Sequence, residues 1–120
     1  MSEVKLHVES LESFFRNASA AARRIDSGDV RSRPAELSFE SMELLLKVLT
    51  PNRWALLRRL RSMGASSVRA LARSLARDYR GVHADVAALR DAGLIEKQAD
   101  GKMRVPWSRI TAEMSVDMAA

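Results

Sequence analysis

Residues 76–83, with the sequence ARDYRGVH, join two segments of helical periodicity. Asp78 is a favourable N-cap, and from Val82 onward apolar side chains recur at i, i+4 and i+7, which predicts a helix beginning just after the cap. On the other side, a short helix capped by Ser66 or Ser67 is predicted by apolar residues at helical spacing. The octapeptide therefore predicts two helices joined by a tight turn.

A third helix is predicted immediately upstream of this pair. Thr50-Pro51 is a strong start signal, because threonine caps a helix well and proline at the first helical position lacks only a donor that would be unpaired there. We expect this helix to bury Trp54, Leu57 and Leu60 on one face. Three helices would thus follow one another before the chain reaches its C-terminal quarter.

A hairpin is predicted directly after the last of these helices. Two short strands are expected at residues 94–97 and 103–105. They flank Ala99-Asp100-Gly101, and Asp-Gly favours a tight turn because both of its central positions adopt positive φ. Three helices followed by a hairpin form a winged helix-turn-helix, in which the last helix enters the major groove of DNA. We therefore predict a mainly α fold with a small β wing.

The N-terminal segment carries two different periodicities. Residues 4–8 alternate as a strand does, whereas residues 11–26 read as an amphipathic helix, followed by a linker at residues 29–34. We therefore divide the chain into an N-terminal strand and helix at residues 1–36, which would serve as an arm for dimerisation or partner binding, and a winged helix-turn-helix DNA-binding domain at residues 37–120. The interface residues of the arm would be Leu11, Phe15, Ala18, Ala22 and Ile25. Because this stripe spans only about two and a half heptads, packing of the helix on its own domain is the alternative.

Further short elements are expected on either side of the helices. Residues 37–39 are a candidate strand, and Ser41 is a candidate cap for a brief helix. The alternating apolar residues between 114 and 118 suggest a final strand that pairs with residues 4–8.

The positive charge of the chain is concentrated in one part of it. The 120 residues carry a net charge of +5, but residues 51–104 alone contain twelve Lys and Arg against five Asp and Glu, a net +7. The segments before and after are each at −1. A local excess of this kind is typical of a surface that binds phosphate, although ordinary soluble proteins can also be basic.

Composition also limits the compartment and the chemistry. The absence of Cys excludes disulfides, thiolate zinc sites and cysteine nucleophiles, and it fits a reducing cytoplasm. No apolar run approaches the ~18 residues of a membrane span, and acidic residues occupy the N-terminus where a signal peptide would be basic. We expect a cytoplasmic protein without a membrane partner.

The candidate DNA-reading surface is the face of the last helix opposite its apolar stripe. At about 100° per residue this face contains Arg80 and two alanines, so the helix can approach a groove closely. Arg80 can donate two hydrogen bonds to guanine O6 and N7. The recognition-helix residues are Arg77, Tyr79, Arg80, His83 and Ala84. The wing residues are Lys102 and Arg104, and the DNA-backbone residues are Ser67, Arg69 and Arg73.

Several of these assignments have structural alternatives. Tyr79 lies nearer the core side of the helical wheel and is expected to pack there, with its hydroxyl reaching a phosphate. Gly81 either permits close approach of the backbone to DNA or is a tolerated surface glycine in the first turn. The charges at Lys102 and Arg104 are also expected on a hairpin that merely protects an edge strand.

Five stretches carry a resemblance to a known family: TPNRWALLRRL at residues 50–60, VRALARSL at residues 68–75, VHADVAAL at residues 82–89, GLIE at residues 93–96 and DGKMRVP at residues 100–106. They resemble the MarR-like winged-helix regulators, in particular a small predicted archaeal and bacterial branch associated with toxin–antitoxin pairs. The resemblance covers residues 38–110 well. It implies a dimeric repressor or an antitoxin, while the ligand pockets of the broader family do not carry over.

We thus expect a dimeric, sequence-specific regulator that binds double-stranded DNA and represses its own operon. The alternative is an antitoxin-type interaction module that binds a toxin encoded by a neighbouring gene, and the two functions are compatible. An enzyme is not expected, since the chain has no Gly-rich phosphate loop, no His-Glu-x-x-His and no Gly-x-Ser-x-Gly. Neither a cofactor nor a metal is expected, because the only two histidines, His7 and His83, are far apart in sequence.

Overall fold

The computed structural model describes residues 2–9, 16, 35–114 and 118, and in these residues the chain is a mixed α/β protein with four helices and two small sheets. The elements are β1 (Glu3–Val8), β2 (Ala35–Phe39), α1 (Met42–Val48), α2 (Pro51–Met63), α3 (Val68–Leu75), α4 (Tyr79–Asp91), β3 (Glu96–Lys97), β4 (Met103–Arg104) and β5 (Arg109–Ala112). The sheet content exceeds the small β wing that we expected. None of the helices in these residues is both long and apolar enough to cross a membrane.

The chain forms two compact units, each with its own internal contacts. One unit is continuous, Leu46–Trp107, and the other combines Met1–Leu45 with Ser108–Ala120. These bounds differ from the predicted division after residue 36, because β5 returns to pair with β1. The predicted N-terminal helix, its stripe and the predicted linker lie outside the described residues.

A parallel three-stranded sheet is the framework of the discontinuous unit. Its order is β2-β1-β5, and Val4 lies opposite Ala35 on one side and Ile110 on the other. Alternation places Val4 and Leu6 in the core, with at most 1% of each side chain exposed. The strands expected at residues 4–8 and 37–39 are therefore confirmed.

The final strand lies earlier in the chain than we predicted. It spans Arg109–Ala112, whereas Met114 and Met118, in the stretch where we expected it, are 49% and 86% exposed. The backbone N–H of Glu113 donates to the carbonyl of Leu6 at 2.9 Å, which extends the ladder by one residue. Pairing with β1, rather than the local alternation of methionines, determines where this strand begins and ends.

Local signals correctly located the starts of the helices. The Oγ1 of Thr50 accepts from the backbone N–H of Arg53 at 3.2 Å, with Pro51 at the first helical position. Ser41 caps α1 in the same way, through a 3.2 Å bond from the N–H of Leu44. The helices therefore begin where side-chain oxygens satisfy their first free donors.

The buried face of α2 is centred differently from our expectation. Leu56, Leu57 and Leu60 are at most 2% exposed, but Trp54, which we expected in the core, is 39% exposed. Because the helix turns about 100° per residue, a face centred on the three leucines leaves Trp54 roughly 110° from its middle. The prediction that Trp54 is buried was wrong, because Leu56 occupies the position on the core face that we had assigned to Trp54.

The core of the continuous unit is completed by α3, α4 and the hairpin. The predicted stripe of α4, Val82, Val86 and Leu89, is fully buried. The strands β3 and β4 pair antiparallel, and the turn between them contains Gly101 at φ +88°. Ser66, between α2 and α3, forms an antiparallel bridge with Met103, so that β4 is joined to the segment leading into α3.

Candidate nucleic-acid interface

The turn between α3 and α4 is closed by backbone hydrogen bonds. Ala76 adopts the left-handed conformation, with φ 53° and ψ 43°. The N–H of Ala76 donates to the carbonyl of Arg73, and the N–H of Arg77 donates to the carbonyl of Ala72, both at 3.1 Å. This pair of bonds is a Schellman motif, which ends α3 sharply and sets the direction of the chain into α4.

The outer face of α4 is exposed as the helical wheel predicted. Arg80, His83 and Ala84 are all exposed, on the opposite side from the buried stripe. Asp78 caps the helix, its Oδ2 accepting from the N–H of Arg80 at 3.2 Å. We predicted that Tyr79 packs toward the core, but 44% of its surface is exposed.

Arg77, in the turn before α4, forms an ion pair with a carboxylate in α4. Its Nη2 donates to Oδ2 of Asp85 at 2.8 Å, while Oδ1 of Asp85 accepts from Nε of Arg53 in α2 at 3.0 Å. Nη1 of Arg53 also donates to the carbonyls of Lys47 and Val48, at 3.2 and 3.1 Å. One carboxylate thus links α2, the α3–α4 turn and α4.

We did not anticipate this network from the sequence. Helical spacing indicates side-chain neighbours only three or four residues away, and Asp85 has no cation at those positions. Its two real partners are 8 and 32 residues away. The only signal available in the sequence was an acidic residue beside the buried stripe of a strongly basic segment.

Arg69 lies against the first turn of α4. Its guanidinium carbon is 5.5 Å from the centroid of the Tyr79 ring, and the centroids of the Tyr79 and His83 rings are 5.8 Å apart. Ser67 is occupied in a different way, since its Oγ accepts from the N–H of Ala70 at 3.0 Å and caps α3. The structure therefore places two predicted recognition-helix residues and one predicted backbone residue in one exposed cluster.

The two residues of the hairpin that we predicted to contact DNA differ in whether their charge is paired. Arg104 forms an ion pair with Glu96 across the strands, with both side chains about half exposed. Lys102 is exposed, and its backbone N–H donates to Oδ1 of Asp100 in the turn at 3.0 Å. Its ammonium group remains available to a ligand, whereas the charge of Arg104 is partly neutralised.

The whole continuous unit is strongly basic. Residues 46–107 contain thirteen Lys and Arg against five Asp and Glu, a net +8. Ion pairs within the described residues engage three of the cations, Arg53, Arg77 and Arg104. The ten others have no acidic partner there, so the surface of the unit has a pronounced positive potential.

Two of these cations lie in a surface cavity on α2. Arg58 and Arg59 line a volume of about 400 Å³ together with Ala55, Ser62 and Leu75. Trp54 lies one helical turn before Arg58, on the same helix. This exposed combination of an indole ring and arginines was missed in the sequence, where Trp54 was assigned to the core.

The discontinuous unit contains a cluster of a serine, a histidine and a glutamate, the three side-chain types of a catalytic triad. Nε2 of His7 lies 3.0 Å from Oε2 of Glu9 and 3.2 Å from Oγ of Ser38. Nδ1 of His7 is buried and has no hydrogen-bond partner in the described part of the chain. A catalytic triad needs the acid and the nucleophile on opposite nitrogens of the ring, so this geometry does not fit one.

A family model, HVO_A0114, matches residues 48–112, which is more than half of the chain. The chain belongs to the HVO_A0114 family. The HVO_A0114 segment includes α2, α3, α4, the hairpin and β5, so the basic helices and the turn described above lie wholly inside it. No curated protein and no solved structure matches the chain.

Proposed function

We propose that this HVO_A0114 protein binds double-stranded DNA through a winged helix-turn-helix and regulates transcription. The observation that carries the proposal is the α3–α4 pair: a tight turn leads into a helix whose outer face is small and cationic. The bridge between Ser66 and Met103 supports it, because it keeps the β3–β4 hairpin beside this pair, where a wing would lie. In this proposal α4 enters the major groove.

Base recognition is assigned mainly to Arg80. It is the exposed arginine of the first turn of α4 and has no acidic partner in the described residues. Its neighbours on the outer face, Ala84 and Ala87, are too small to hold the helix away from the base edges. Arg80 can therefore reach guanine, while the alanines contribute only close apolar contact.

Affinity is assigned to phosphate contacts. Arg69, Arg73 and Lys102 are exposed cations without acidic partners among the described residues, and they lie on α3 and the hairpin. Arg77 and Arg104 would first have to leave Asp85 and Glu96, so their contribution to phosphate binding is smaller. Phosphate contacts of this kind carry no sequence information, so specificity depends on Arg80, dimer spacing and DNA shape.

The resemblance to MarR-like regulators adds a dimeric state and repression of the protein's own operon to the proposal. Two copies would place two α4 helices about one turn of DNA apart. The N-terminal arm, with its stripe from Leu11 to Ile25, is the proposed dimer contact. Leu11→Glu/Phe15→Glu followed by a measurement of mass in solution tests that contact while keeping β1, the central strand of the sheet, and an unchanged dimer would exclude it.

The DNA-binding proposal is tested with duplexes from the protein's own promoter and of random sequence, each at two salt concentrations. We expect the affinity for both to fall steeply with salt, by a slope of about −0.9 per neutralised phosphate. Arg80→Gln should reduce the preference for the promoter, with a cost of about 1 to 3 kcal/mol. Arg90→Gln is the matched control, since it removes the same charge from the last turn of the same helix. Equal binding of promoter and random DNA at every salt concentration would exclude a sequence-specific regulator.

A second proposed function is binding of a protein partner, such as a toxin encoded by the adjacent gene. It is favoured by Trp54, because an exposed tryptophan beside unpaired arginines is typical of protein–protein interfaces. We expect Trp54→Ala to weaken co-purification with the adjacent gene product. Met63→Ala is the control, since Met63 is equally exposed, at 39%, at the other end of α2. Failure of the wild type to bind that product would refute this second function.

A further inference from the structure

Three side chains from two helices meet near the N-terminal ends of α3 and α4. The guanidinium carbon of Arg69 lies 5.5 Å from the centre of the Tyr79 ring. The centres of the Tyr79 and His83 rings are 5.8 Å apart, and the ring planes are inclined by 40°. All three side chains are exposed. Since Arg69 has no acidic partner among the described residues, the ring of Tyr79 is the group that restrains this cation.

We infer that Tyr79 is a positioning residue, whose ring holds the guanidinium of Arg69 at the surface for binding to a DNA phosphate. The inference rests on the proposed function and specifies how one of its phosphate contacts is made. It assigns to Tyr79 a role in affinity rather than in reading bases. It also makes the contact dependent on both helices, since Arg69 belongs to α3 and Tyr79 to α4.

The physical argument concerns charge and conformational freedom. An arginine bound to a carboxylate, as Arg77 is to Asp85, has its charge neutralised before DNA arrives. Attraction to an aromatic ring restrains the side chain but leaves the positive charge intact. A restrained arginine loses less rotamer freedom on binding than a free one does, and so binds more tightly.

The position of His83 supports this role for Tyr79. The two residues are four apart on α4, so their rings are neighbours on one face of the helix. Contact between the rings limits the movement of Tyr79, which is the first residue of the helix and is otherwise exposed. A ring that is itself restrained can hold Arg69 in one place.

The test compares Tyr79→Leu, Tyr79→Phe, Arg69→Gln and the double variant Tyr79→Leu/Arg69→Gln, all in the full chain. Binding to a promoter duplex is measured by fluorescence anisotropy at several salt concentrations. We expect Tyr79→Leu to weaken binding about two- to five-fold without changing the salt slope, because no charge is lost. Tyr79→Phe keeps the ring and should bind like the wild type. Arg69→Gln should weaken binding and reduce the salt slope by about 1, and Tyr79→Leu should then have no further effect.

Other results would overturn the inference. If Tyr79→Leu costs as much in the Arg69→Gln background as in the wild type, Tyr79 contacts DNA directly. If Tyr79→Phe binds as weakly as Tyr79→Leu, the hydroxyl rather than the ring is the acting group. If Tyr79→Leu binds like the wild type, Arg69 needs no positioning.

An NMR measurement without DNA separates this inference from the proposed function. The side-chain protons of Arg69 should show a ring-current shift in the wild type and in Tyr79→Phe, and lose it in Tyr79→Leu. Absence of the shift in the wild type would overturn the inference even if the protein binds DNA. A normal shift together with no binding of any duplex at low salt would refute the DNA-binding function, and the phosphate role of Arg69 with it.

Discussion

Replacement of Asp85 by alanine should destabilise the continuous unit strongly. The carboxylate is only 15% exposed and accepts one hydrogen bond from each of two arginines, Arg53 and Arg77, which are themselves 20% and 29% exposed. A hydrogen bond to a charged group contributes about 1.5 to 3 kcal/mol, and partial exposure places these two near the lower value. Their loss gives about 3 kcal/mol, a large fraction of the ~5 to 15 kcal/mol stability of a typical domain.

The assays are urea unfolding and thermal unfolding, each followed by tryptophan fluorescence and circular dichroism. A loss of about 3 kcal/mol corresponds to a fall in Tm of roughly 10 to 15 °C for a chain of this size. The matched control is Glu96→Ala, which removes an ion pair to Arg104 whose side chains are 45% and 50% exposed. Exposed pairs contribute at most about 1 kcal/mol, so this variant should remain close to the wild type.

A double-variant cycle tests the physical cause of the loss. Arg53→Ala should cost about 1.5 kcal/mol less in the Asp85→Ala background than in the wild type, because its partner is already absent. Asp85→Asn, which keeps the acceptor oxygen but not the charge, should lie between the wild type and Asp85→Ala. If Asp85→Ala costs no more than Glu96→Ala, the carboxylate does not hold the helices together and the reasoning is refuted.

Three further predictions concern single positions. Gly81→Ala should stabilise α4 by up to about 1 kcal/mol in urea unfolding, since the added Cβ would meet Nη2 of Arg77 at an ordinary contact distance of 3.5 Å. Weaker DNA binding by this more stable variant would show that the backbone at Gly81 approaches DNA closely, and unchanged binding would exclude such an approach. Ala76→Gly should raise stability by about 0.5 to 1 kcal/mol, because Ala76 has φ 53° and glycine adopts this conformation without strain; a lower Tm would contradict this account of the turn. The hydrogen bond and charge of Lys5 lower the pKa of Glu113 below its usual 4.5, so the stabilising effect of the pair is present above that pH and is lost as the pH falls through the lowered pKa. An NMR titration should show the pKa of Glu113 rising toward 4.5 in Lys5→Met, and no change would contradict the pairing.

The starts and turns of the elements could be predicted because they depend on atoms close in sequence. Thr50, Ser41 and Asp78 act as caps through bonds to N–H groups two or three residues away. The hairpin turn needed only the glycine at position 101. The partners of such bonds are a few residues apart, so the sequence contains the information needed to predict them.

The candidate site could be predicted only in outline. The exposed face of α4 follows from its buried stripe, which includes Val82 and Val86, and the location of the positive charge follows from counting. Which arginines have their charge available for a ligand does not follow from either. That property depends on whether a carboxylate from elsewhere in the fold lies within about 3 Å.

By itself, the sequence of this protein determined the helix boundaries, the turn at residues 76–78, the hairpin and the concentration of positive charge in one segment. Only the tertiary structure decided that Asp85 engages Arg53 and Arg77, and that Arg69 instead lies against an aromatic ring. The physical reason is distance along the chain: caps and periodicity act within a few residues, whereas Arg53 and Asp85 are 32 residues apart and meet only when α2 and α4 pack. Residues 76–83 therefore specify where α4 begins, and packing specifies which of the cations around it can bind DNA in the function that we propose.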